Sequence, residues 1–180
     1  MDNFSLNRTK EKGEFLEIKK IGGMAMKFEF SVDIPAPIEL VWKIAQNPDL
    51  RPSWDVRIAN YQVHGPQENG AEVTITFRVF FFRPVGKAKF ILFNPPKQSI
   101  LRIEQVKPAI IPTGGGTWMF QEIETGTRMI TRFNLDTKKS KFSADWLTWF
   151  FVWLDTTRSL KKLRKLVIKK AKETEVAGSE

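Results

Sequence analysis

The sequence predicts an α+β fold: an antiparallel sheet of six to seven strands, two short helices after the first strand, and one long helix at the C-terminal end. Three observations predict it. Residues 144 to 173 contain neither Gly nor Pro and follow Ser143, a good N-cap, so they read as one continuous helix. Between residues 27 and 136, apolar and polar side chains alternate in short segments separated by Gly, Pro and Asn clusters at hairpin spacing. The one helical pattern inside that region is short and follows the first alternating segment.

Residues 1 to 23 mix both charges with isolated apolar residues such as Phe4, Phe15 and Ile18 and end in Gly22-Gly23, the pattern of a flexible leader. Met24 and Met26 stand just before the first convincing strand and are candidate translation starts, which would leave 1–23 outside the native protein. Lys27 to Ile34 alternates Phe28, Phe30, Val32 and Ile34 against Lys27, Glu29, Ser31 and Asp33, as a half-buried strand does. Pro35-Ala36-Pro37 ends it. Pro37 suits the first helical position, and Ile38, Val41, Trp42 and Ala45 give a short amphipathic helix up to Asn47-Pro48. A second helical turn is expected around Asp49 to Arg51, and the chain is expected to re-enter the sheet at Pro52-Ser53-Trp54-Asp55.

Strands are then expected from Trp54 to Val63, from Glu72 to about Phe81, from Lys87 to Phe93, from Gln98 to Lys107, from Thr117 to Glu124 and from Thr127 to Asp136. Turn clusters separate them: Gly65 to Gly70, Arg83 to Gly86, Asn94 to Lys97 and Thr125-Gly126. Pro108 to Gly116 reads as a longer loop. Val73, Ile75, Phe77, Val79 and Phe81 share the inward side of their strand, Ala88, Phe90 and Leu92 point inward on the next, and Leu101 and Ile103 do so on the third. Phe80-Phe81-Phe82 break the alternation. Three consecutive rings cannot all face inward, so the sheet is covered on both faces there, or some ring reaches solvent, a dimer partner or a lipid surface. On the last helix, at about 100° per residue, Trp146, Phe150, Trp153 and Thr157 share a face that Trp149, Leu160, Leu163, Val167 and Ala171 extend. Leu147, Phe151 and Leu154 lie on the face that later carries Arg158, Lys161, Lys162, Lys165, Lys169 and Lys172. The expected organisation is a leader (1–23), a single domain (24–174) and a disordered tail (175–180).

Composition narrows the function classes. At 180 residues and 42% hydrophobic content the chain has enough apolar side chains for one core. With no cysteine and one histidine, disulfides, thiolate metal sites and histidine-rich metal sites are excluded, and no cofactor is expected. The net charge of +9 favours anionic partners. Nucleic acid is not expected, because the aromatics of the last helix precede its lysines instead of alternating with them. No signal-peptide pattern or membrane-length apolar run is present, so a soluble cytoplasmic protein is expected.

The run from Val32 to Asp55, with Pro35-Ala36-Pro37, Val41-Trp42, Asn47-Pro48 and Trp54-Asp55, resembles the opening of the polyketide cyclase/dehydrase-like branch of the SRPBCC (START-like) superfamily. The resemblance implies a helix-grip fold: a curved antiparallel sheet wrapped around the long C-terminal helix, with a hydrophobic ligand cavity between them. Pollen-allergen relatives carry a glycine-rich loop where this chain has Gly65 to Gly70, so the ligands of that branch are not carried over.

Catalytic constellations are not recognisable. His64 sits beside a Gly-Pro turn with no marked partner. Asp145 and Asp155 are about 80° out of phase on the helix, and Asp145 suits its first turn. Gly114-Gly115-Gly116 leads into a strand, whereas a phosphate-cradling loop leads into a helix. The expected activity is therefore binding of a lipid-like, aromatic or polyketide-like small molecule. The expected lining is Val73, Ile75, Phe77, Val79, Phe90, Leu92, Leu101, Ile103, Met129, Phe133, Trp146, Phe150 and Trp153. Two alternatives stay open: a cyclase or dehydratase, and a module whose basic C-terminal helix contacts an anionic membrane or a protein. Oligomeric state is not readable.

Overall fold

Alternate side chains of strand β2 (Ala25–Ile34), namely Phe28, Phe30, Val32 and Ile34, are all buried, so the alternation read from the sequence marks the inner face of a sheet. The computed structural model describes residues 14–17, 25–109, 113–136 and 145–177. After β2 come two helices, α1 (Ile38–Ala45) and α2 (Arg51–Trp54). The strands that follow are β3 (Ile58–His64), β4 (Glu72–Phe77), β5 (Val85–Asn94), β6 (Gln98–Lys107), β7 (Thr113–Ile123) and β8 (Gly126–Asp136). The long helix α3 spans Asp145–Ala177. A short strand β1 (Glu14–Glu17) pairs with β2, inside the stretch read as a leader. The sheet is antiparallel with the order β1-β2-β8-β7-β6-β5-β4-β3. Seven strands make its body and β1 adds an edge. This is the predicted helix-grip arrangement, with α3 and the two short helices on the inner face.

α1 buries Ile38, Val41, Trp42, Ile44 and Ala45, and its Trp42 ring meets Phe93 and Phe120 at centroid distances of 5.3 and 5.1 Å. α3 closes the same end of the core through Leu160, Leu163 and Val167, all buried, while Lys161, Lys162, Lys165 and Lys169 face solvent. Burial of each of those three side chains contributes roughly 1.5–3 kcal/mol. Arg164 Nε donates to Asp33 O (3.1 Å), which ties the second half of α3 to the end of β2. Ser143 and residues 178–180 lie outside the described residues.

Four expectations are corrected. Trp54 belongs to α2, because Pro52 near its start favours a helical turn, and the chain joins the sheet only at Ile58. Gly114 to Gly116 lie within β7, paired to Leu101–Ile103 on one side and Phe133–Leu135 on the other, instead of forming a loop. Val79 and Phe81 fall beyond β4 and do not continue its inner face: Val79 and Phe82 close a tight turn, their backbones exchanging hydrogen bonds of 3.2 and 2.8 Å, and Phe81 is exposed. Leu92 pairs with Ile100, whereas Phe90 and Phe93 pair with Leu101 and Ser99; a bulge between Phe90 and Leu92 turns Leu92 outward and brings Phe93 into the core in its place.

One glycine of β7 matters because a large ring lies over it. A Cβ on Gly116 would stand 2.7 Å from the Trp118 indole, so only glycine lets that ring lie flat on the inner face. At Gly115 the nearest atom to such a Cβ is Leu101 O at 3.5 Å, an ordinary contact. Gly116→Ala is therefore expected to lower stability by about 1–3 kcal/mol, and Gly115→Ala to change it little. Urea midpoints of the two variants check this pair.

Candidate functional site

The inner face carries a concentrated charged cluster, built by α2, the turn after it, β3 and α3. Arg51 and Asp55 are four residues apart, so one helical turn brings them together, and Arg57 follows across the turn. Asp55 is 1% exposed and accepts two parallel hydrogen bonds from Arg57, Nε to Oδ1 and Nη2 to Oδ2, both 2.9 Å. Such bidentate charge-assisted pairs are the strong, directional ones. Arg51, also buried, lies with its Nε 3.6 Å from Asp55 Oδ2 and donates from Nη1 to Ala45 O, a carbonyl at the end of α1 (3.2 Å). Its guanidinium is sandwiched between the Trp54 and Trp118 rings, 4.4 Å from each centroid, with Tyr61 at 5.6 Å. A cation desolvated between aromatic faces gains about 2 kcal/mol or more.

α3 joins the same cluster. Ser159 Oγ receives the Val56 amide (3.1 Å) and donates to Asp155 O (2.7 Å), and it lies 3.4 Å from Asp55 Oδ1. Arg57 Nη1 donates to Thr156 Oγ1 (3.2 Å), and its guanidinium lies 4.6 Å from the centroid of the Phe133 ring. Arg57 keeps 22% of its side chain exposed, so it is the cation of the cluster with an accessible side. Thr131, 1% exposed on the same face of β8 as Phe133 and Met129, has a hydroxyl with no hydrogen-bond partner among the described residues. Unpaired buried hydroxyls are uncommon and costly.

The charges set the ionisation of their neighbours. Burial by itself pushes the Asp55 carboxyl up, but the charge and hydrogen bonds of Arg57, with Arg51 behind, outweigh it and hold the group below the usual carboxylate range. Burial pushes the Tyr61 phenol up to about 12, with the Arg51 charge opposing. Burial likewise raises the Asp155 carboxyl, against the pull of Arg57 and Arg158.

The expected lining residues divide into two groups. Val73, Ile75, Phe90, Leu101 and Met129 are fully enclosed by other side chains. Phe77, Ile103 and Trp153 are only partly buried, together with Leu135, and all four pack against the core. Phe133, 9% exposed, lies between the groups, and Phe150 is 40% exposed on α3 beside Trp153. Val79 is partly buried outside the strand and Leu92 faces away from the inner side. The side chains of Trp146 and Trp149 lie outside the described residues. His64 is exposed and shares a 2.8 Å hydrogen bond with Thr74 at a strand end, away from the cluster. Arg51, Arg57, Thr131 and Thr156 were not among the expected site residues; the one signal for them was an acid and two arginines around Trp54 in a segment of mixed polarity.

An antiparallel sheet gripping one long helix, with an apolar inner face, is the architecture of the helix-grip proteins. The chain belongs to the polyketide cyclase/dehydrase and lipid transport family, whose model matches residues 25–167. Comparison with curated proteins finds no match. Among solved structures, the Zhui aromatase/cyclase from Streptomyces sp. R1128 superposes with a TM-score of 0.68 at 12% identity, covering 82% of this chain and 96% of that one. Ara h 8.0201 superposes with a TM-score of 0.65 at 13% identity, covering 81% of this chain and 99% of that one. The di-domain ARO/CYC StfQ from the steffimycin biosynthetic pathway gives 0.67 at 11% identity, over 82% of this chain and 52% of that one. At these identities the likeness is one of fold. Among the described residues, no helix is long and apolar enough to cross a membrane.

Asp55→Asn leaves two arginines without their counter-charge and is expected to cost about 3–5 kcal/mol, measured by urea unfolding. Because the Asp55 carboxyl titrates lower in the folded state, its contribution is present above the ordinary carboxylate pKa and lost as pH falls through the depressed value; Asp55→Asn flattens that acid limb. Tyr61 has the opposite sign. Its contribution is present below the ordinary phenol value of 10.0 and lost as pH rises through about 12. Tyr61→Phe should therefore remove a loss of about 2–3 kcal/mol between those limits, read from melting temperature against pH.

Proposed function

We propose that this protein binds an apolar small molecule with a carbonyl or carboxylate group at one end, held between the sheet and the first half of α3. The observation that carries the reading is Arg57: a guanidinium fixed by Asp55, resting on Phe133 and still partly accessible at the edge of an apolar surface. A fixed arginine presents its remaining N–H groups to an oxygen with little ordering cost. The Thr131 hydroxyl supports the same reading, as a second polar group in an apolar setting. Phe77, Ile103, Leu135 and Trp153 supply partly buried apolar surface for the body of the ligand. The family description, with both cyclase/dehydrase and lipid transport in it, is consistent with a lipid-like or polyketide-like ligand. The enclosed residues Val73, Ile75, Phe90, Leu101 and Met129 then act as support behind the ligand.

One observation favours a second reading, an enzyme. Asp155 has a raised pKa beside Arg57 and Asp55 at the rim, and a carboxyl so tuned is suited to exchanging a proton with an enolisable carbonyl held by Arg57. The Zhui protein is an aromatase/cyclase, and its likeness in fold keeps this reading open without deciding it.

Binding is tested by native mass spectrometry of the protein as isolated, followed by titration with oleate and with oleyl alcohol. A charge-assisted hydrogen bond contributes about 1.5–3 kcal/mol, so oleate should bind roughly 10–100-fold more tightly than the alcohol. Arg57→Met should erase that preference, and Arg57→Lys should retain part of it. Equal affinities for the two probes in the unaltered protein sink the role of Arg57, and no uptake of either sinks the binding reading.

A further inference from the structure

We infer that the turn from Val79 to Arg83 is a docking tip for an anionic lipid surface. It stands apart from the ligand reading above: its exposed rings and cations are other residues, and Trp153 is shared only as the last ring in contact. Phe80, Phe81 and Phe82 are 71, 82 and 45% exposed, although phenylalanine is among the residues most often buried. Phe80 also holds a left-handed backbone with φ 52°, which glycine or asparagine would adopt at less cost. A bulky aromatic retained at a strained, water-facing position does nothing for the core. The tip is firmly built: Val79 and Phe82 exchange backbone hydrogen bonds, and Arg83 Nη1 donates to the carbonyls of Phe80 and Phe82 at 3.0 and 2.9 Å.

The rings continue onto the helix. Phe80 meets Phe151 edge-on at 5.3 Å, Phe151 meets Phe150 at 5.7 Å, and Phe150 meets Trp153 at 6.2 Å. With Phe150 included, the exposed rings present roughly 500 Å². That is below the ~800 Å² per partner of a stable protein interface, yet a few rings suffice to seat a protein in the headgroup region.

Charge decides which surface fits. From Phe77 to Lys87 the chain carries Arg78, Arg83 and Lys87 and no acidic residue, and pairing of Val85 with Lys107 adds another cation beside the tip. An aromatic tip with a cationic collar matches an anionic bilayer, where rings enter the interface and cations remain at the headgroups. A second copy of this chain, bringing its own net charge of +9 and the same collar, is a poor match.

The test is co-sedimentation of the full chain with phosphatidylcholine vesicles, with and without phosphatidylserine. The unaltered protein should partition onto the phosphatidylserine vesicles and be released by salt. Phe81→Ser with Phe82→Ser should weaken this at least roughly tenfold, since each ring contributes through its burial, while the melting temperature stays close to that of the parent. Arg78→Gln with Lys87→Gln should weaken it several-fold and flatten the salt dependence. Because the chain has no cysteine, a polarity-sensitive dye on Phe81→Cys reports the tip alone; its emission should shift blue on the vesicles, and the same dye on Thr125→Cys should not respond. The inference is overturned if the parent ignores phosphatidylserine, or if the Phe81→Ser, Phe82→Ser protein binds as well as the parent. It is also overturned if only Lys161→Glu, Lys165→Glu and Lys169→Glu together abolish binding, or if the rings instead drive a concentration-dependent dimer in solution.

Discussion

The buried ion cluster around Asp55 is the interaction on which the rest of the inner face depends. Burying three charges costs several kcal/mol per ion before any attraction is counted. Here the cost is offset by short, well-aimed contacts: a bidentate pair to Arg57, two indole faces on Arg51, and the Ala45 carbonyl at the end of α1. Arg51 and Trp54 lie on α2, Ala45 ends α1, Tyr61 lies on β3, Trp118 on β7, and Thr156 and Ser159 on α3, so the cluster ties these elements to one another. An apolar replacement of equal volume would pack as well but would not specify which atoms meet. The same bracing fixes Arg57 against Phe133 and Thr156, so the ligand proposed above would meet a preorganised arginine.

The long helix divides in role where the cluster touches it. Beyond Ser159, it closes the core with Leu160, Leu163 and Val167 and turns its lysines to solvent. Two of those lysines reach Glu173, at 3.8 Å from Lys169 and 3.1 Å from Lys170, exposed pairs that contribute little. Before Thr156 the helix carries Phe150, Phe151 and Trp153, none of them fully buried, and they run on into the Phe80 turn. One end of the grip is therefore sealed by packing, while the other holds the accessible aromatics and the accessible arginine. A fold of this kind hosts many activities, so function is a property of particular side chains and not of the architecture.

The α+β class, most strand positions and the gripping helix were legible in the sequence, because each rests on local periodicity. Phe28 to Ile34 alternates at period two, and Leu160, Leu163 and Val167 recur at helical spacing, whatever surrounds them. Strand ends were less legible. Gly114 to Gly116 read as a loop, since glycine weakens a strand on its own, and only the Trp118 ring lying over Gly116 explains its place in a central strand. Leu92 read as inward by simple alternation, which a bulge interrupts without any local mark. Val79 continued the pattern of β4, but the following rings and Arg83 close a turn there instead.

By itself the sequence determined the kind of fold, the apolar character of its interior and the absence of thiol or histidine-rich metal chemistry, because composition and short-range pattern suffice for these. Tertiary structure alone decided which residues meet. Asp55 and Ser159, Arg57 and Thr156, Arg51 and Trp118 are separated by about sixty to a hundred residues of chain, and no local signal pairs them. Their meeting follows from the order of strands and the angle at which α3 crosses the sheet. So a segment that read as a family motif, Trp54-Asp55, proved to be the centre of a charge cluster in which Asp55 is buried and Arg57 keeps an accessible side.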